Sequence, residues 1–216
     1  MEKKSVQIIL QLALAVVVLG LVYWVYTLIS TPIKFENEQK QREAAVIERI
    51  KDIRTAERTF KSKYQRFTAD FDTLINFVLT EQMEGERKKI DEDDSVAMAQ
   101  AKKKYGKKFK NVEKFTYSVK DSLFKHLTEE DIQNLRYIPY SNNTEFYLEA
   151  TILTTESKIV IPTVECRAPY ITFLDTVVYR QEVINLVDNC LNVLNKYPGI
   201  KFGSMERGNN EAGNWE

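Results

Sequence analysis

The sequence predicts an α+β protein built from an N-terminal transmembrane helix, a long amphipathic helix and an antiparallel β-sheet packed by helices. Three observations lead there. Residues 8–29 are an almost unbroken apolar run, and a helix-period apolar stripe follows from Val46 to Phe67. From Phe115 onward, runs of β-branched and aromatic residues alternate with polar ones and are separated by short turn sequences.

Between Ile8 and Ile29 the only polar side chains are Gln11 and Thr27. A helix of this length rises about 1.5 Å per residue, or about 33 Å, close to the roughly 30 Å hydrocarbon thickness of a bilayer. Tyr23, Trp24 and Tyr26 stand near its far end, where amphipathic rings favour the headgroup level. Signal peptides have apolar regions of about 7–15 residues ending in small residues. The longer run here, closed by Leu28-Ile29-Ser30-Thr31-Pro32, is expected to be retained as an anchor. Lys3 and Lys4 abut its near end, which places residues 1–7 in the cytoplasm and the rest across the membrane.

Residues 30–79 are expected to be an amphipathic helical segment. Thr31-Pro32 reads as an N-cap and first helical position, so a second helix is expected where the anchor ends or kinks. Its stripe is Val46, Ile50, Ile53, Ala56, Phe60, Tyr64 and Phe67, in steps of three and four. Arg49, Lys51, Asp52, Arg54, Glu57 and Arg58 are expected to cover the remaining faces. The stripe requires a cover, either the chain's own domain or a partner, and Val46, Ile50, Ile53 and Phe60 are the candidate partner-binding residues. Asp70 is placed to cap a short helix carrying Phe71, Leu74, Ile75 and Val78 on one face.

Residues 80–114 hold ten Lys/Arg and eight Asp/Glu with few large apolar side chains, and are expected to form a charged mobile loop or peripheral helix. Within them Lys102, Lys103, Lys104, Lys107, Lys108 and Lys110 interleave with Tyr105 and Phe109. That pattern suits either a solvated loop or an anion-binding patch for lipid headgroups or nucleic-acid phosphates.

Residues 115–216 are expected to hold the sheet. Strands are expected at Phe115–Lys120, Arg136–Tyr140, Glu145–Thr154 and Lys158–Cys166, as an antiparallel meander. Thr128-Glu-Glu-Asp131 has the spacing of a capping box for a short helix. A further helix is expected over Tyr179–Lys196, with Val183, Leu186, Val187, Cys190, Leu191 and Leu194 on one face, before Pro198-Gly199 and a short strand at Ile200–Phe202. The tail from Gly203 is irregular. Its penultimate Trp215 is expected either to dock on its own domain or to enter a partner's groove. With residues 30–216 outside the bilayer, the whole forms one extramembrane domain.

Catalytic chemistry finds little footing in the pattern. The 31 basic and 31 acidic side chains balance, so no overall field draws the chain toward nucleic acid. No phosphate-binding glycine loop, nucleophile elbow or metal-ligand spacing occurs, and no cofactor is expected. His126 has no Ser or Cys partner inferable from spacing. Cys166 and Cys190 are either separate buried thiols or a disulfide, which would close a loop of about 25 residues worth roughly 3 kcal/mol. Asn142-Asn-Thr144 is a glycosylation sequon, relevant only in a eukaryotic secretory compartment.

The order of parts, and the segment Ala44-Ala-Val-Ile-Glu-Arg-Ile-Lys-Asp-Ile-Arg-Thr-Ala-Glu-Arg-Thr-Phe-Lys-Ser-Lys-Tyr-Gln-Arg-Phe67, resemble the type IV pilins and type II secretion pseudopilins. The resemblance covers roughly residues 8–80 and implies an apolar helix with an amphipathic extension leading into a small antiparallel sheet. No Gly followed by Phe or Met precedes the anchor, so pilin-type processing is not implied. The chain otherwise resembles bacterial single-pass membrane proteins. The expected function is that of a non-catalytic envelope protein of the bacterial inner membrane with a periplasmic domain. It would act as a structural or assembly component by contact with other envelope proteins or with itself. A membrane-anchored enzyme or ligand-binding domain is the alternative.

Overall fold

Helix α1 (Glu2–Tyr64) runs without a break through Pro32. The computed structural model describes residues 2–91, 94–106, 111–154 and 158–216. Thr31-Pro32 therefore does not start a second helix. Proline removes one amide donor from the helix ladder. Around it the hydroxyls of Thr27, Ser30 and Thr31 donate to the carbonyls of Trp24, Tyr26 and Thr27 at 2.7–2.8 Å, satisfying neighbouring backbone oxygens. From Leu10 to Ile29 the apolar side chains of α1 are exposed, and this is the one helix among the described residues long and apolar enough to cross a membrane. Farther along, Val46, Ile50, Ile53 and Ala56 are 0 % exposed and Phe60 3 %.

The fold is α+β, as expected. After α1 come α2 (Phe71–Thr80), β1 (Gln82–Lys88), α3 (Ser95–Tyr105), β2 (Val112–Ser118), α4 (Val119–Leu123) and α5 (Glu129–Gln133). Then follow β3 (Tyr147–Thr154), β4 (Val160–Pro169), α6 (Tyr170–Phe173), α7 (Arg180–Asp188) and β5 (Gly199–Gly203). Asp70 caps α2 by accepting from the amides of Asp72 and Thr73, and Thr128 with Asp131 closes a capping box on α5.

Among the described residues two sheets form rather than one meander. β1 pairs antiparallel with β2, from Gln82↔Ser118 to Lys88↔Val112, so a stretch expected as a charged loop holds an ordered ladder. Opposite charges face each other across it: Arg87 meets Glu113 at 3.0 Å, and Lys114 lies within 4 Å of Glu84 and Glu86. Such pairing lets a polar segment be a strand without a buried face. The second sheet has the order β3-β4-β5, with β3 and β4 antiparallel from Tyr147↔Arg167 to Thr154↔Val160. The expected strand at 136–140 reduces to a 3₁₀ turn, Asn134–Arg136, and a single bridge, Tyr137↔Glu145.

The chain divides into two compact units. The first comprises Met1–Glu48, Ile138–Thr144 and Ala168–Ile200, and its buried side chains include Phe35, Val46, Phe173, Leu174 and Val183. The second comprises Arg49–Tyr137, Glu145–Arg167 and Lys201–Glu216, with Ile53, Leu74, Phe124, Ile132 and Phe202 in its core.

Within the second unit the C-terminal tail closes the outer side of β5. Gly203 N–H donates to Ala212 O and Asn214 N–H to Lys201 O, both at 3.0 Å. Gly203 has φ +79° and lies against the Val164 carbonyl, where a Cβ would sit 1.9 Å from the oxygen, so only glycine fits. Arg54, Arg58 and Lys61, one face of α1, hold the tail: Arg58 and Lys61 reach the Glu211 carboxylate at 3.2 Å, and Arg54 reaches that of Glu216 at 2.5 Å.

Replacing Ile53 by Ala is expected to cost about 2–5 kcal/mol, the usual cost of a cavity at a sealed position. Leu19→Ala, on the exposed apolar half, is expected to stay within about 0.5 kcal/mol. Urea unfolding of the detergent-solubilised chain measures both.

Candidate functional site

In the first unit α7 carries more apolar surface than its surroundings cover. Of the stripe expected on this helix, only Val183 and Cys190 are buried, whereas Leu191 and Leu194 are about half exposed. A π-helical turn, Asn189–Val193, follows α7 directly; Leu194 N–H reaches back five residues to Asn189 O at 3.0 Å. The result is an open apolar groove of about 700 Å³ lined by Ile171, Val177, Val183, Ile184, Val187 and Leu191, with Arg180 and Asp188 at its margin. At one end Val177 is 90 % and Val178 65 % exposed. The Asp175 carboxylate accepts from the amides of both valines at 2.9 Å, so the turn is tied while its side chains face outward.

In the second unit, among the described residues, β3 pairs with a strand on one side only, since the order is β3-β4-β5 and the tail closes the far edge. Ile152 on β3 is 60 % exposed, with Val160 of β4 exposed near it and Tyr147 exposed at the other end of the strand. An open, partly apolar edge offers unpaired amides and carbonyls to another chain.

The residues singled out by the sequence fall differently. Val46, Ile50, Ile53 and Phe60 are sealed by the chain itself, so the stripe offers no groove to a partner. Trp215 docks on its own unit, half-buried, with the Arg54 guanidinium 5.5 Å from its ring. Lys103 and Lys104 are exposed on α3; Lys107, Lys108 and Lys110 lie outside the described residues, as does the side chain of Lys102. Cys166 and Cys190 are buried free thiols, not a disulfide. Burial raises both thiol pKa values, reinforced by Glu57 at Cys166 and by Glu43 at Cys190, so neither is poised as a nucleophile. His126 is exposed and pairs at 3.2 Å with Asp52. Among the described residues no group of three or more His, Cys, Asp or Glu is arranged to hold a metal. No family model, curated protein or solved structure matches the chain.

Glu57 does not cover a polar face as expected. It stands four residues after Ile53 and three before Phe60, on the stripe itself, and is 0 % exposed. That spacing was the available signal; its charge argued the other way. The Val177-Val178 tip had a fainter one, a turn-forming Asp175 followed by two valines that fit no helix or strand period. One oxygen of Glu57 accepts the Thr68 amide at 3.2 Å and the other has no protein partner. Burial pushes its pKa from 4.5 to about 8, against the opposing pull of the Thr68 amide, so the carboxyl is mostly protonated at neutral pH.

The unfolded chain loses this proton near pH 4.5, whereas the folded chain keeps it to about 8. The contribution of Glu57 to stability is therefore greatest below pH 4.5, falls as pH rises through that window, and levels off above 8. Glu57→Gln removes the titration and is expected to be more stable than the parent at pH 7 by roughly 3 kcal/mol, with no gain at pH 4. Denaturant midpoints across pH 4–9 test this; parallel pH profiles for the two proteins would refute it.

Proposed function

We propose that the chain is a non-catalytic, single-pass protein of the bacterial inner membrane that serves as a structural or assembly component through protein–protein contacts. The observation that carries this reading is the continuity of α1. One helix has an exposed apolar half of transmembrane length and a second half whose apolar face is sealed core, with no linker between them. Such a helix holds what packs on it at a defined height above its anchor instead of on a flexible tether. Lys3 and Lys4 favour a cytoplasmic N-terminus and a periplasmic C-terminal part. The sequence of apolar half, packed half and following sheet supports a pilin-like or secretion-associated role.

The contact surface in this reading is the open β3 edge, where a partner strand or a second copy adds to the sheet and Ile152 supplies apolar area. In mild detergent the chain is expected to migrate above monomer mass, as a self-assembly or a defined complex. Ile152→Lys, which places a charge on an exposed edge position, is expected to return it to monomer without altering its circular dichroism. A parent protein that is strictly monomeric, with nothing crosslinked to it in native membranes, overturns the assembly role. A C-terminal alkaline phosphatase fusion that is inactive overturns the orientation.

A further inference from the structure

In the first unit α1 serves as a ruler, because four of its residues, Phe35, Glu38, Arg42 and Glu43, mark the height of the α6–α7 segment. Arg42, thirteen residues beyond Ile29, donates to the carbonyl of Phe173 at 2.7 Å, which places the end of α6 about 20 Å along the helix from the apolar run. Phe35, six residues beyond Ile29, packs its ring on Tyr179 with centroids 5.5 Å apart, which places the start of α7 near 9 Å. The Tyr179 hydroxyl also bonds to Glu38. Cys190, beyond the end of α7, lies within the electrostatic reach of Glu43, back at about 20 Å. The chain thus descends toward the apolar half of α1 between Phe173 and Tyr179 and climbs away again along α7. The turn at 175–179, whose tip is Val177 and Val178, joins these two arms beside Tyr179.

We propose that this tip and the apolar groove behind it rest on the lipid surface of the bilayer that α1 crosses, the valines entering the boundary between headgroups and acyl chains. The proposal depends on the reading of α1 as a membrane anchor. The headgroup layer is about 5–7 Å thick on each side, and Val177 lies at most about 7.6 Å from Tyr179 along the chain, a span sufficient to bring the tip into that layer. Two features suit the tip to lipid. Its exposed side chains are β-branched and apolar, and the Asp175 carboxylate already satisfies both valine amides, so entry into a poorly hydrated layer leaves those donors paired. Arg180 is exposed next to the tip at the groove's margin, where a guanidinium meets lipid phosphate. A second transverse contact of this kind fixes rotation and tilt, which one helix through a bilayer leaves free.

The test uses the full chain in nanodiscs of phosphatidylcholine and phosphatidylglycerol, with an environment-sensitive fluorophore on a single introduced cysteine. The two native thiols are buried, and the unmodified chain serves as the labelling blank. Labels at Val177→Cys and Val18→Cys are expected to emit to the blue and to lose most of their intensity when the lipids carry brominated chains. A label at Val193→Cys, beside Cys190 at the far end of the segment, is expected to respond to aqueous iodide alone. If the 18 label is quenched by brominated lipid and the 177 label only by iodide, the tip does not touch lipid and the inference falls while the anchor stands. If the 177 label is shielded from both quenchers, a protein covers the patch and the inference falls in that direction. If the 18 label is untouched by brominated lipid, the anchor reading and the inference fall together.

Discussion

The unbroken passage of α1 through Pro32 is the constraint on which the rest of the structure depends. A proline inside a helix removes an amide donor and crowds the preceding turn. The chain carries it inside one continuous helix, with the hydroxyls of Thr27, Ser30 and Thr31 donating to the carbonyls of Trp24, Tyr26 and Thr27 in the turns around it. Because it continues, one helix carries an exposed apolar half and a half with one sealed apolar face. The positions of Phe35, Arg42 and Val46 are then tied by helix geometry to the apolar run before them. Had the chain broken at Thr31, the packed residues would have been free to sit at any height.

The second half of α1 gathers structure through two kinds of contact. Its apolar face supplies Ile50, Ile53, Ala56 and Phe60 to the core, and its basic face, Arg54, Arg58 and Lys61, clasps the C-terminal tail through Glu211 and Glu216. The tail in turn closes the β5 edge and leaves β3 as the edge open to another chain. A carboxyl at Glu57, placed on the apolar face, is a cost built into this arrangement. Burial holds it neutral, with one oxygen on the Thr68 amide and the other unpaired.

The two apolar surfaces left uncovered differ in kind, and so do the partners they suit. The β3 edge presents backbone donors and acceptors in register and favours a peptide strand. The α7 groove and the Val177-Val178 tip present side chains whose own backbone amides are already satisfied, which favours a medium that offers area but no directed hydrogen bonds.

Much of the local structure was legible in the residues themselves. The apolar run at 8–29, the three-and-four spacing from Val46 to Phe67, the Asp70 cap and the Thr128–Asp131 box each depend on neighbours within one or two helical turns, so sequence order alone specifies them. The α+β class followed from the same periodicities. What covers a surface depends on residues far apart in the chain, and only the tertiary structure decided that. It showed that the Val46–Phe60 stripe is closed by the chain's own segments, that Cys166 and Cys190 remain separate thiols, and that Glu57 lies inside. It also showed that the charged stretch from 80 onward forms a ladder, because strand β2 supplies opposite charges about thirty residues away. Periodicity reports which face of an element is apolar; it carries no information about what that face will meet.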